Sequence, residues 1–184
     1  MGLMTTENRR RWAWAITGSG HFLDESFELL RGLNHLDLFL SRAAVEVLGM
    51  YKRKVEVSGG CRIFYDKTAS AVPVGAFYYG IYHTVVVAPA TSNAVAKFVY
   101  GVSDDLVTNV FAHAGKTRVP IIVFACDTAP ELLTMAPKGP VMVYPRPVDL
   151  ENREKLARFA GVTVVDSTSE LSHAVASRRN DLGL

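Results

Sequence analysis

Cysteine is scarce in this chain: Cys61 and Cys126 are the only two in 184 residues. A cysteine-held iron–sulfur cluster takes about four thiolates, and two distant thiols make no disulfide framework, so neither is expected, nor is any metal site. Long apolar runs are lacking too. The longest, residues 84–90, falls far short of the roughly 20 residues that cross a bilayer. No signal-peptide pattern opens the sequence, and a soluble, cytoplasmic protein is expected. Net charge is nearly absent: 20 basic against 18 acidic side chains leave +2, too little to imply a nucleic acid or an acidic membrane surface as partner. Internal repeats and low-complexity segments are also missing. What is present is 49% apolar and 21% charged residues, a balance that excludes disorder. The length suits a single domain, residues 1–184, with a sizeable core. The basic run Asn8-Arg9-Arg10-Arg11 reads as a solvated flank of the first strand.

Residues 12–17 (W-A-W-A-I-T) form a strand pattern that Gly18-Ser19-Gly20 ends. Residues 22–33 then carry apolar positions at helical spacing, with Gly32 at the expected stop. A second strand over 36–40 ends at Ser41-Arg42, and 43–50 reads as a helix. Residues 52–57 alternate like an exposed strand or an excursion, Gly59-Gly60 signals a turn, and most of residues 51–82 reads as irregular, with a short helix around 77–79. The rings of Phe77, Tyr78, Tyr79 and Tyr82 belong either to the core or to a contact between protomers. Residues 84–89 form a β-branched run, the mark of a strand buried on both faces of a parallel sheet. Helices follow over 94–100 and 104–114, the latter capped by Ser103. Strands are expected at 121–125, 141–144 and 162–165, and helices at 149–160 and 171–178. Strands alternating with helices specify an α/β fold, a doubly wound parallel sheet with helices on both faces.

Ligands of such sheets sit beyond the carboxyl ends of the strands. Three of these ends have suggestive composition. Gly18-Ser19-Gly20, followed by His21, is a glycine-bearing turn opening a helix, where backbone N–H groups and the helix dipole favour a phosphate. Ser41 and Arg42 add a hydroxyl and a positive charge one strand over. The turn lacks the third glycine of a dinucleotide fingerprint and the G-K-[ST] of a P-loop, so a mononucleotide phosphate is the better fit. The loop Pro89-Ala90-Thr91-Ser92-Asn93 offers hydroxyls and a carboxamide without bulk. It suits the edge of a flat heterocycle; alternatively Ser92 or Asn93 merely starts the next helix.

The β-G-S-G-α opening, the loop P-A-T-S-N-A-V-A-K and the later G-V-S-D-D-L-V-T-N together resemble the flavoprotein superfamily that includes the homo-oligomeric flavin-containing cysteine decarboxylases. The run A-I-T-G-S-G-H-F-L is most similar to its archaeoflavoprotein and flavin-dependent dihydromethanopterin reductase branch. The resemblance spans residues 12–124. It implies FMN as cofactor, bound by Gly18, Ser19, Gly20, Ser41, Arg42, Pro89, Ala90, Thr91, Ser92 and Asn93. It also implies a homo-oligomer, a trimer or an assembly of trimers.

Departures choose among the branches. The decarboxylases carry a histidine some fourteen positions before the loop proline, where this chain has Gly75. Their P-x-M-N clamp falls on Ala125-Cys126-Asp127-Thr128. With that chemistry missing and the flavin motifs kept, the resemblance implies an oxidoreductase reducing 7,8-dihydromethanopterin to tetrahydromethanopterin, supplied with electrons by a donor such as NAD(P)H or ferredoxin. Hydride transfer needs little from the protein beyond positioning. His21 is the candidate proton donor, or else a contact to the phosphate. The alternatives are an FMN electron carrier fed by ferredoxin, for which Arg9–Arg11 with Lys52–Lys54 would form a docking patch, and a phosphopantothenoylcysteine decarboxylase-like enzyme. Asp104 and Asp105 either steady a neighbouring protomer's loop or favour a helix start. Lys97 is expected to be exposed, and His83 structural. Cys126 either approaches the flavin or is inert packing, and Trp12 and Trp14, on one face of their strand, serve packing or an interface.

Overall fold

Trp12, Trp14 and Ile16 alternate with Ala13 and Ala15 along the first strand, and the pleat sends the two sets to opposite faces. That alternation seeds two separate hydrophobic layers. A computed structural model describes residues 10–57, 60–67 and 71–184, with the backbone alone at 71 and 72. In chain order the elements are β1 (Arg11–Ile16), α1 (Leu23–Arg31), β2 (Leu36–Leu40), α2 (Arg42–Met50), β3 (Arg62–Tyr65), α3 (Ala71–Val74) running into a 3-10 turn (Gly75–Tyr79), and β4 (Tyr82–Ala90). Then follow α4 (Ser92–Tyr100), α5 (Leu106–Lys116), β5 (Ile121–Ala125), β6 (Leu132–Ala136), β7 (Gly139–Val143), α6 (Pro147–Leu156), β8 (Val162–Val165) and α7 (Thr168–Leu182).

Six strands form one sheet in the order β3-β2-β1-β4-β5-β8, and every pairing in it is parallel. The large side chains of β1 pack with Leu23, Phe27 and Leu30 of α1, Leu48 of α2 and Leu171 of α7. The small face, Ala13 and Ala15, admits Val107 and Val110 of α5, beside Val95 and Phe98 of α4. The sheet is therefore covered by helices on both faces, as the alternation of strands and helices predicts. Trp12 and Trp14 are 2% and 0% exposed, so they serve packing within the chain and are withdrawn from any interface. The aromatic group divides: Phe77 and Tyr82 are core, whereas Tyr78 and Tyr79 lie at the surface.

Several local expectations are corrected. Residues 52–57 form no strand; the third strand is β3, anchored because Arg62 and Arg11 both reach the fully buried Asp37 from the strand's flank. Residues 141–144 do not join the parallel sheet. They belong to the antiparallel hairpin β6–β7, whose exposed Leu133, Met135, Val141 and Met142 lack the two-sided burial a parallel strand requires. Helix α1 is shorter than residues 22–33, because Phe22 takes a left-handed conformation (φ 62°) at its start. Helix α5 is capped by Asp105, not Ser103, through a reciprocal pair in which the Asp105 carboxylate accepts from Thr108 N–H and the Thr108 hydroxyl accepts from Asp105 N–H. Pro89 and Ala90 are not loop but the end of β4, with a cis Ala88–Pro89 peptide. Asn8, Arg9 and Gly59 lie outside the described residues.

Candidate functional site

The strand order reverses between β1 and β4, and a crevice opens beyond the carboxyl ends at such a switch point. Three hydrogen bonds join the two ends. Thr17 donates from its N–H and its hydroxyl to Pro89 O (3.2 and 2.9 Å), and its hydroxyl accepts from Thr91 N–H (2.8 Å). Beyond them lies a cleft of about 470 Å³, walled by Thr17, Gly18, Ser41, Arg42, Thr91 and Asn93 together with the charged Glu46, Asp66, Lys97, Asp104 and Asp105.

Two helices begin at this cleft. Ser41 caps α2 by accepting from Ala44 N–H at 3.0 Å, and Thr91 caps α4 by accepting from Ala94 N–H at 3.3 Å. Neither helix has an acidic residue in its first turn, so both positive dipole ends remain available to an anion. Helix α1 differs. Asp24 and Glu25 occupy its first turn, with Asp24 paired to Arg53. The α2 and α4 starts thus offer anion positions beside the turn after β1, whose Gly18 lines the same cleft.

Of the residues singled out in the sequence, Gly18, Ser41, Arg42, Thr91 and Asn93 line this cleft; Ser19, Gly20, His21, Pro89, Ala90 and Ser92 do not. The Ser19 hydroxyl is engaged locally. It accepts from His21 N–H (3.1 Å) and the Cys126 thiol (3.3 Å) and donates to His21 O (3.2 Å). Burial pushes the Cys126 thiol up to about 12, which makes it inert packing rather than a reactive thiolate. Gly18 has a steric role, since a Cβ there would meet the Cβ of Ala43 at 2.5 Å. The turn can approach α2 this closely only without a side chain.

His21 sits in a neighbouring cavity of about 350 Å³ beneath the hairpin, with Tyr51, Leu133 and Met135. The Tyr51 hydroxyl donates to Met135 O at 2.8 Å, tying the hairpin to the body. Burial lowers the His21 pKa, against smaller opposing pulls from Glu25 and Asp127. The imidazole is therefore neutral near pH 7, a weak proton donor.

Sequence reasoning missed the acidic and cationic wall. Lys97, expected to be exposed, bridges Asp104 (2.8 Å) and Asp105 (3.4 Å) at the cleft wall. Its spacing of seven and eight residues from these aspartates crosses the α4–α5 turn, so no single-helix periodicity announces it. Asp66 is brought in by β3, the strand that was not recognised.

A parallel sheet with its crevice at the switch point and two uncompensated helix starts there is the frame of a nucleotide-type cofactor protein, and the Flavoprotein family model matches residues 3–182. The chain belongs to that family. It is 39% identical over 142 residues to dihydromethanopterin reductase (acceptor) of Methanosarcina mazei, a match that covers 70% of this chain. The chain spans only 59% of that relative's length. Among solved structures it resembles DmrB of Burkholderia xenovorans in complex with FMN, described as a cubic protein cage for redox transfer. The TM-score is 0.87 and the identity 49%, covering 96% of this chain and 98% of that one. Phenylacrylic acid decarboxylase from Aquifex aeolicus, at 22% identity and TM-score 0.68 over 95% of this chain and 97% of that one, shares the fold.

Proposed function

We propose that this chain binds FMN in the switch-point cleft and reduces 7,8-dihydromethanopterin to tetrahydromethanopterin. The observation that carries the site is the meeting of two helix starts free of acidic residues at one cleft. The α2 start, with the Ser41 hydroxyl and the Arg42 guanidinium, holds the phosphate. Asp66 and Glu46 accept from polyol hydroxyls along the cleft, and Thr91 and Asn93 meet the edge of the ring system. A cleft of about 470 Å³ lies within the roughly 300–1,000 Å³ usual for cofactor sites. Reduced FMN supplies the hydride; the protein fixes the geometry and excludes competing chemistry. With His21 neutral and under the hairpin, the accompanying proton is drawn from water. The relatives named for dihydromethanopterin reduction and FMN binding support this reading, and the exposed Tyr79 and Tyr100 support a homo-oligomer, a trimer or an assembly of trimers. The electron donor, NAD(P)H or ferredoxin, reaches the same cleft.

Arg10 and Arg11 stand at the amino end of β1. Six residues of strand, about 20 Å, separate them from the cleft, and Arg11 is neutralised by Asp37. A ferredoxin docked on them would not sit at the proposed flavin, so this half of the expected patch gives the carrier alternative no support, whereas Arg53 of the other half stands at the His21 cavity. The test is anaerobic and optical: reduce the purified flavoprotein, add dihydromethanopterin and follow the blue absorption of the oxidised flavin. Rapid reoxidation with tetrahydromethanopterin formed is expected. A flavin that stays reduced with the pterin but is reoxidised by a one-electron acceptor sinks the reductase reading.

A further inference from the structure

The opposite end of the sheet carries a second cavity, of about 480 Å³, which the proposed reaction does not use. Arg10, Arg11, Trp12, Asn34, His35, His83 and Arg179 stand in its wall, with Leu184 closing one side. Three features mark it as more than a surface hollow. The guanidiniums of Arg10 and Arg179 make no hydrogen bond or ion pair to any described residue, although both line the same space. Arg11, by contrast, is held by Asp37 and by the carbonyls of Leu36 and Gly60. The third feature is His83, 5% exposed, whose Nε2 has no partner.

The tautomer of His83 follows from its neighbour. Thr84 Oγ1 accepts from Arg178 Nε at 2.9 Å and lies 2.9 Å from His83 Nδ1. When Thr84 gives its one hydrogen to Nδ1, the proton of the neutral ring stands on Nε2, the tautomer assigned to this site. Burial, with Arg178 and Arg10 nearby, holds the His83 pKa down at about 4, so the ring is a neutral donor rather than another cation. A buried N–H without an acceptor costs free energy, and two free guanidiniums beside it present the fork geometry that matches phosphate oxygens.

We propose that this cavity binds the phosphate-monoester group of a small soluble metabolite, clamped by Arg10 and Arg179 with His83 as a neutral donor at its base. The volume leaves room for an organic body beyond the phosphate, against the ring edges of His35 and the Asn34 amide. The length of β1 places this site about 20 Å from the switch-point cleft, too far for the bound metabolite to exchange a hydride there. It is a separate site, and its ligand acts on the protein rather than on the flavin.

Isothermal titration of the full chain, freed of excess flavin, with inorganic phosphate, ribose 5-phosphate and ribose tests the proposal. The expected result is saturable binding of ribose 5-phosphate and none of ribose. Arg10→Gln combined with Arg179→Gln, both at exposed positions, should weaken binding at least tenfold (about 1.4 kcal/mol) while melting at the parent's temperature without ligand. Arg42→Glu, at the far end of the sheet, should leave it unchanged. Flat titrations with both phosphates, undiminished affinity in the double variant, or loss in Arg42→Glu instead would each overturn it.

Discussion

Gly18, Gly20 and Cys126 show how single residues shape the surroundings of the cleft through packing alone. A Cβ on Gly20 would lie 2.2 Å from the Tyr51 hydroxyl oxygen, the same oxygen that ties down the hairpin. Gly20→Ala should therefore destabilise the protein by about 1–3 kcal/mol through overpacking. Combining it with Tyr51→Ala should cost less than the sum of the two single changes, which a double-mutant cycle of denaturant midpoints will show. Cys126, buried and with its thiol pushed up to about 12, should resist alkylation by iodoacetamide at pH 8 in the native state and react once the chain is unfolded. Mass spectrometry of the two samples checks this. The placement of the phosphate separates two substitutions. Arg42→Glu sets a charge against the α2 start and should raise the FMN dissociation constant at least tenfold. Ser19→Asp, away from the cleft, should retain flavin. Flavin fluorescence titration that ranks them the other way returns the phosphate to the α1 turn.

Among the elements, α4 and α5 are coupled through their caps. Asp105 accepts from the first turn of α5 and also from Lys97 of α4. Asp105→Ala should cost about 1 kcal/mol of stability by loss of the cap, seen as a lowered melting temperature. It should also loosen Lys97, which keeps Asp104. The hairpin β6–β7 is the element least supported by the core. Its exposed Leu133, Met135 and Met142 and its tether at Tyr51 set it apart from the sheet. The expectation of a sheet strand at 141–144 failed here. A four-residue apolar run has the same appearance in a hairpin as in a parallel sheet, and only the neighbouring strands distinguish the two.

Over the whole molecule, the buried ionisable groups give stability a definite pH dependence. His83 and His21 are held neutral in the fold, chiefly by burial, so the unfolded chain takes up their protons first. Stability is therefore lost as pH falls below about 6.5, and for His83 this continues down to about 4. Burial alone would raise the Asp37 pKa, but hydrogen bonds from Arg62, Arg11 and Tyr82 outweigh it and hold the carboxyl below its ordinary value. Its contribution is present above the unfolded carboxylate range and disappears as pH falls through the depressed folded value. Urea midpoints should decline in two stages, from pH 6.5 to 4 and again below 4. His83→Gln should flatten the upper stage, and a constant midpoint between pH 7 and 5 would contradict the assignment.

The doubly wound sheet was legible because alternation of large and small apolar residues, β-branched runs and punctuating glycines are local properties of the chain. They place β2 and β5 at residues 36–40 and 121–125 and bring three strand ends to one crevice. Only the folded chain shows that α2 and α4 begin at one cleft and that Asp66 and Lys97 stand in its wall. The same holds for Arg62 and Asp37, 25 residues apart, and for Tyr51 and Met135, 84 apart. Electrostatic fields and close contacts add through space, so residues with no shared periodicity acquire a common role only when the fold sets them side by side.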